Sequence, residues 1–239
     1  MHPAFEVFRS GDGTSDVVFT CEHASDHLPR PWGDDAWLRP THWAVDLGIA
    51  PFTRELIERL GSRGVFAGFS RLLIDANRPL YSRTLFRDEA EGRPVHLNHE
   101  LDDEERLARI LGWWQPFHDA ADAMLAEAPA KILLSMHSFT PVYEGHVREV
   151  EIGVLFDDEE ELAHRIAALL QPSGYAVRLN EPYTGKGGMM FSCYKHAHDH
   201  GLRGIELELR QDLLADPVHY ARLLGIVHEA IATAAAELP

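Results

Sequence analysis

Two apolar runs in this chain lead into a histidine: Val17–Cys21 followed by Glu22 and His23, and Ile132–Met136 followed by His137. A third run, Gly204 to Arg210, carries Glu206 and Glu208 where a buried strand would be apolar. In α/β proteins ligands collect outside the carboxyl ends of the parallel strands, so residues at those ends converge. Two neutral imidazoles and a carboxylate meeting there form a divalent-metal site that can act on a bound water. Each histidine alone reads first as a hydrogen-bonding surface residue; their matched placement favours ligation. For the carboxylate, Asp26 lies three residues after His23, and Asp46 lies on the helix expected next. Asp26 also suits a turn before Pro29, and Asp46 the exposed side of its helix.

Side chains alternate along a strand, so Glu206, Glu208 and Arg210 share the face opposite Ile205, Leu207 and Leu209. A central strand would bury those acids, at a cost unless they are paired or employed. An edge strand would leave them solvated. Asn77-Arg78-Pro79 follows another candidate strand, Leu72–Ile74, and Arg71 precedes it. The arginine fork matches a carboxylate bidentately. In a chain with 22 Lys+Arg against 38 Asp+Glu and a net charge of −16, arginines aimed at that crevice point to an anionic substrate. The alternative is a salt bridge from Arg78 to Asp75. Residues 180–188, with Tyr183 and three glycines, read as a flexible lid. They lack the GxxxxGK[ST] spacing, and the chain has no GxGxxG before a helix and no GxSxG elbow. Most remaining histidines, among them His118, His196, His198 and His200, have no metal spacing and read as surface or supporting residues.

The elements that must position these groups alternate strand and helix. Strands are expected at 17–21, 64–67, 72–74, 131–136, 150–156, 175–179 and 204–209. Helices are expected at 43–60 with Pro51 as a kink, at 102–128 divided by Pro116, near 158–170, and from about 216. In the last, Tyr220, Leu223, Leu224, Val227 and Ile231 form one apolar face. Residues 80–100 read as a long irregular loop. The expected fold is one α/β domain over 1–239, a three-layer α/β/α sandwich around a mixed, mostly parallel sheet.

An acidic surface repels polyphosphate, so nucleic acid is not an expected partner. Cys21 and Cys193 show no CxxC pairing, as in a reducing compartment. The opening Met1–Glu6 lacks the features of a signal peptide, and no apolar stretch approaches membrane-spanning length. The expected location is cytoplasmic.

Together these segments resemble the N-formylglutamate amidohydrolase family. The match is carried by Cys21-Glu22-His23-Ala24-Ser25, His42-Trp43-Ala44-Val45-Asp46-Leu47-Gly48, Ser70 to Pro79, His137-Ser138-Phe139-Thr140-Pro141, Asn180-Glu181-Pro182-Tyr183, and Glu206 to Leu213. That family is related to the zinc carboxypeptidases. The resemblance implies a carboxypeptidase-like fold with His23 and His137 as metal ligands and Glu208 as general base. It implies that Asn77 and Arg78, with Arg71, hold the substrate carboxylate, helped by Arg148, while Tyr183 closes over the substrate. Carboxypeptidases carry a glutamate three residues after the first ligand, where this chain has Asp26; related amidohydrolases keep an acid matching Asp46. Asp46 is therefore preferred, with Asp26 as the alternative. The implied cofactor is a divalent metal, zinc before cobalt or manganese. The implied reaction releases an N-formyl group from an acidic amino acid, N-formyl-L-glutamate giving formate and glutamate. Rival readings are a deacylase of other N-acyl amino acids, a carboxypeptidase-like hydrolase, or a binding protein without catalysis.

Overall fold

The computed structural model describes residues 2–12 and 14–239; Met1 and Gly13 lie outside the described residues. Seven strands form one sheet: β1 (Phe5–Arg9), β2 (Val17–Cys21), β3 (Arg63–Ala67), β4 (Ile132–Phe139), β5 (Ile152–Leu155), β6 (Val177–Leu179) and β7 (Arg203–Arg210). Their order is β1-β3-β2-β4-β7-β5-β6. β3, β2, β4 and β7 are mutually parallel, β5 and β6 are parallel to each other, and the β1–β3 and β7–β5 pairs are antiparallel. The sheet is thus mixed and mostly parallel. β7 is central, flanked on both sides, which excludes the solvated-edge reading of its acids.

Helices cover both faces. α1 (Ile49–Leu60), α4 (Glu160–Leu170) and α7 (Pro217–Glu237) bury Phe52, Leu56, Ile166, Leu223 and Val227 against Phe19, Leu134, Val154 and Leu207. On the other face α3 (Gln115–Ala126) and α5 (Phe191–His200) pack Phe117, Met124, Cys193 and Ala197 against Val18, Val65 and Leu133. Each large apolar side chain so buried contributes roughly 1.5–3 kcal/mol. Among the described residues, no helix is long and apolar enough to cross a membrane.

Several local expectations change. α1 begins at Ile49, after Gly48 at φ +80°, and 43–48 are turn; Pro51 falls in the first helical turn, where its missing N–H costs nothing. Leu72–Ile74 is a buried turn, fixed where Ser70 Oγ donates to Ala44 O at 2.8 Å and accepts from Leu72 N at 3.2 Å. The 102–128 helix is divided as expected, by a π-turn just before Pro116: α2 (Asp103–Arg109) passes through Ile110–Trp114 into α3. Pro116 lies in the first turn of α3, so the wider turn absorbs the ladder bond that a proline cannot make. β1 and α5 have no counterpart in the sequence reading. α5 occupies a stretch with no expected element, and it buries His196, which reads from the sequence as a surface or supporting residue.

Candidate metal centre and cleft

The face of the sheet under α3 and α5 changes from apolar to polar along its length. Leu133 is followed on that face by Ser135 and His137, and Gly204 by Glu206 and Glu208. Register places Glu206 opposite Ser135 and Glu208 opposite His137. All four are buried. His23 lies two residues beyond β2, while His137 sits inside β4, which runs two residues past it. Asp46 hangs in the turn before α1, tied back where its N–H donates to His23 O at 3.0 Å.

These elements bring His23, Asp46 and His137 together, with one ligand atom from each within 4.8 Å of the others. Asp46 Oδ2 lies 2.9 Å from His137 Nδ1 and 3.5 Å from His23 Nδ1. The far ring nitrogens are held from behind. His23 Nε2 lies 2.8 Å from Asp75 Oδ1, and His137 Nε2 lies 3.0 Å from Ser135 Oγ and 3.2 Å from Glu22 Oε2. Such carboxylate–imidazole pairs fix ring orientation and raise ligand basicity. Arg71 donates to Asp46 Oδ1 at 3.3 Å and to Asp75 Oδ2 at 3.2 Å, joining the ligand to the brace.

The charge balance fits a cation. Glu22, Asp46, Asp75, Glu206 and Glu208 are all buried around two imidazoles. Burial works to raise the Asp46 carboxyl, but His23 and His137 outweigh it and hold it well below the usual range. Burial likewise works to lower His137, yet Glu206, Asp46 and Glu22 push it well above its ordinary value. Glu208 is raised well above the carboxylate range by burial, reinforced by Asp46 and Glu206 and opposed by His137. Among the described residues, His23 Nδ1 and Glu208 Oε2 are buried with no hydrogen-bond partner. A buried polar atom without a partner is costly, and a cation between His23, Asp46 and His137 would supply one for His23. The residues therefore fit a divalent metal, bound through two nitrogens and one carboxylate.

The cluster opens into a cleft of about 190 Å³ lined by His23, Asp46, Arg71, Asn77, Arg78, His137, Tyr183 and Glu208. Asn77 is engaged on this wall: its Nδ2 donates to Glu206 Oε2 at 3.1 Å and its Oδ1 accepts from Ser192 N at 3.0 Å. Arg148 stands beside the cleft, donating to Tyr183 Oη at 3.0 Å with its guanidinium over the Tyr183 and Tyr143 rings. Gly153 faces Glu208 across the β7–β5 pair, and a Cβ there would lie 2.2 Å from Glu181 O. Glycine thus lets the segment carrying Tyr183 pass close to Glu208.

Asp26 is not part of the cluster. It is partly exposed, and the pair with Arg39 at 2.6 Å holds its carboxylate at the surface. Sequence reasoning missed Glu22, Asp75 and Glu206 as buried supports, and His42, Arg87 and Tyr143 as cleft residues. Glu206 was signalled by its place on the Glu208 face, and Asp75 and Glu22 by adjacency to named segments; Arg87 carried no signal, since its surroundings read as loop.

Residues 15–215 match the family model described as N-formylglutamate amidohydrolase. The chain is 27% identical over 199 residues to the N-formylglutamate deformylase of Pseudomonas aeruginosa, covering 73% of this chain and 70% of that protein. A solved structure of a gene product from Agrobacterium tumefaciens aligns at a TM-score of 0.91 and 34% identity, covering 98% of this chain and 95% of that one. The N-formylglutamate amidohydrolase of Ralstonia eutropha shares the fold at a TM-score of 0.66 and 18% identity, over 99% of each chain.

Proposed function

From the premise that this chain belongs to the N-formylglutamate amidohydrolase family, a family of hydrolases, we propose that it cleaves N-formyl-L-glutamate to formate and L-glutamate. The observation that carries this reading is the convergence of His23, Asp46 and His137 beneath a cleft whose lining includes Glu208, Arg71 and Arg78. We assign the three converging residues as ligands of one divalent cation, with zinc the best match to two imidazoles and a carboxylate. When bound, such an ion supplies Lewis acidity and makes a water acidic near neutral pH.

The chain's own residues supply the rest. Glu208 takes a proton from the attacking water as oxygen bonds to the formyl carbon, then delivers it to the amine as the C–N bond breaks. Its Oε2 is buried without a hydrogen-bond partner among the described residues, so no protein group competes for that proton. Arg78 and Arg71, on the wall that Asn77 braces, hold the substrate's α-carboxylate. Arg148 fixes Tyr183 over the cleft mouth, which limits water around the reacting bond.

The test is formate release from N-formyl-L-glutamate, with N-acetyl-L-glutamate as comparison, before and after chelation. The expected result is formate release that chelator abolishes and zinc, cobalt or manganese restores. Equal or faster turnover of the acetyl compound would replace the deformylase reading with a broader deacylase.

A further inference from the structure

Four arginines lie in or beside the cleft, and three already donate to protein groups while keeping donors to spare. Arg71 is bonded to Asp46 and Asp75. Arg78 donates to Asn77 O at 2.7 Å and to Met189 O at 3.0 Å. Arg148 donates to Tyr183 Oη at 3.0 Å. Arg87 differs: it lines the cleft, yet its guanidinium has no hydrogen bond and no ion pair among the described residues.

What Arg87 does have is a platform. Its guanidinium carbon sits 5.0 Å from the centroid of the Trp43 ring. Trp43 is held in turn, with Nε1 donating to Glu91 Oε1 at 3.0 Å and the His42 ring 4.8 Å away. At its base, Arg87 O accepts from Asn98 Nδ2 at 2.7 Å. The side chain is thus supported from below while its five donors stay open. Such a fork, half-buried and lining the cleft, keeps all its donors available to an incoming anion. A stacked guanidinium keeps its full bidentate capacity for that anion.

We propose that Arg87, laid on Trp43, recognises the side-chain carboxylate of the amino-acid substrate and so selects acidic over neutral substrates. The proposal rests on the hydrolase reading above, in which Arg71 and Arg78 take the α-carboxylate. A dicarboxylate needs two cationic stations: Arg71 and Arg78 can turn their remaining donors to one carboxylate, and Arg87, with its whole fork open, is the second station. A neutral amide in place of the distal carboxylate loses the charge-assisted pair and leaves the fork poorly satisfied.

The experiment compares zinc-loaded wild type with Arg87→Gln and Arg87→Lys. One arm measures kcat/KM for N-formyl-L-glutamate and N-formyl-L-glutamine. The other measures binding of L-glutamate and L-glutamine by calorimetry and needs no turnover. Wild type is expected to favour the acidic member by about 10–100-fold in both arms, the size of a bidentate charged contact. Arg87→Gln should bring the ratio to within about threefold, with the loss confined to the acidic member, and Arg87→Lys should fall between. An acid-to-amide ratio unchanged by Arg87→Gln, or a wild-type binding ratio near one, overturns the proposal. Arg87-dependent preference in binding without turnover of either formyl compound would keep the Arg87 assignment and reject the deformylase reading.

Discussion

Two buried histidine clusters occupy the same face of the sheet and treat their charge in opposite ways. At the strand ends, His23 and His137 both aim Nδ1 at one oxygen of Asp46, with their other nitrogens held by Asp75, Ser135 and Glu22. Between α3 and α5, His118 Nδ1 meets His196 Nε2 at 2.8 Å, and His196 Nδ1 meets Asp122 Oδ1 at 2.7 Å. The first geometry converges on a point; the second is a line. In the first, acids outweigh burial and His137 is pushed up. In the second, burial dominates and pushes His118 down to about 3, with His196 adding to the effect. Histidines bonded to acids do not by themselves make a candidate metal centre. Convergence on a common point with surplus buried acid sets the strand-end cluster apart.

The most severe break in that contrast is Glu208→Gln. The amide keeps the shape but cannot take the water's proton, so turnover should fall about 10²–10⁴-fold while bound metal, measured by elemental analysis, stays near wild type. Retention of full turnover would remove Glu208 from the mechanism. A smaller break is Asp75→Asn, which leaves all three ligand atoms in place but weakens the brace on His23. Metal affinity should fall about 10–100-fold in a competition titration with a chromophoric chelator. Asp26→Asn is the matched control, expected to leave the affinity unchanged because Asp26 pairs with Arg39 at the surface. Equal losses from both variants would place the support of the site elsewhere.

Most of the sheet and the two histidines at its strand ends were legible because they depend on short-range pattern. Val17–Cys21 and Ile132–Met136 read as strands by their apolar runs, and the alternation of Gly204–Arg210 separated Glu206 and Glu208 from the apolar face. The choice of Asp46 over Asp26 came from the family resemblance, since spacing alone left both open. What escaped depends on long-range placement. Leu72–Ile74 is as apolar as a strand, but Ser70 bonds it into a turn. Phe191–His200 has a helix's length but few strong apolar repeats, because its buried face uses Ser192, Cys193, His196 and Ala197. Arg87 is an ordinary loop arginine until Trp43, distant in sequence, comes under it.

The smallest effect tests the linear cluster. Neutral rings suit its bonds: His118 Nδ1–H donates to His196 Nε2, and His196 Nδ1–H donates to Asp122. A histidine whose folded pKa lies below its unfolded value near 6.5 adds stability that is full above pH 6.5 and is lost as pH falls toward 3. His118→Gln retains a donor but removes the titration. At pH 7 the variant should be less stable by about 1–2 kcal/mol, an ordinary cost for reshaping a buried site. Lowering the pH to 5 charges His118 in the unfolded wild type alone, which costs wild type about 2 kcal/mol. Urea denaturation at the two pH values should therefore show the gap closing at pH 5. Contributions from the strand-end cluster are common to both proteins and cancel in the difference. Formate release at pH 7 should be unchanged, because this histidine reaches no group in the cleft. A gap that stays constant or widens on acidification would show that His118 is charged in the folded protein, and the contrast between the two clusters would fail.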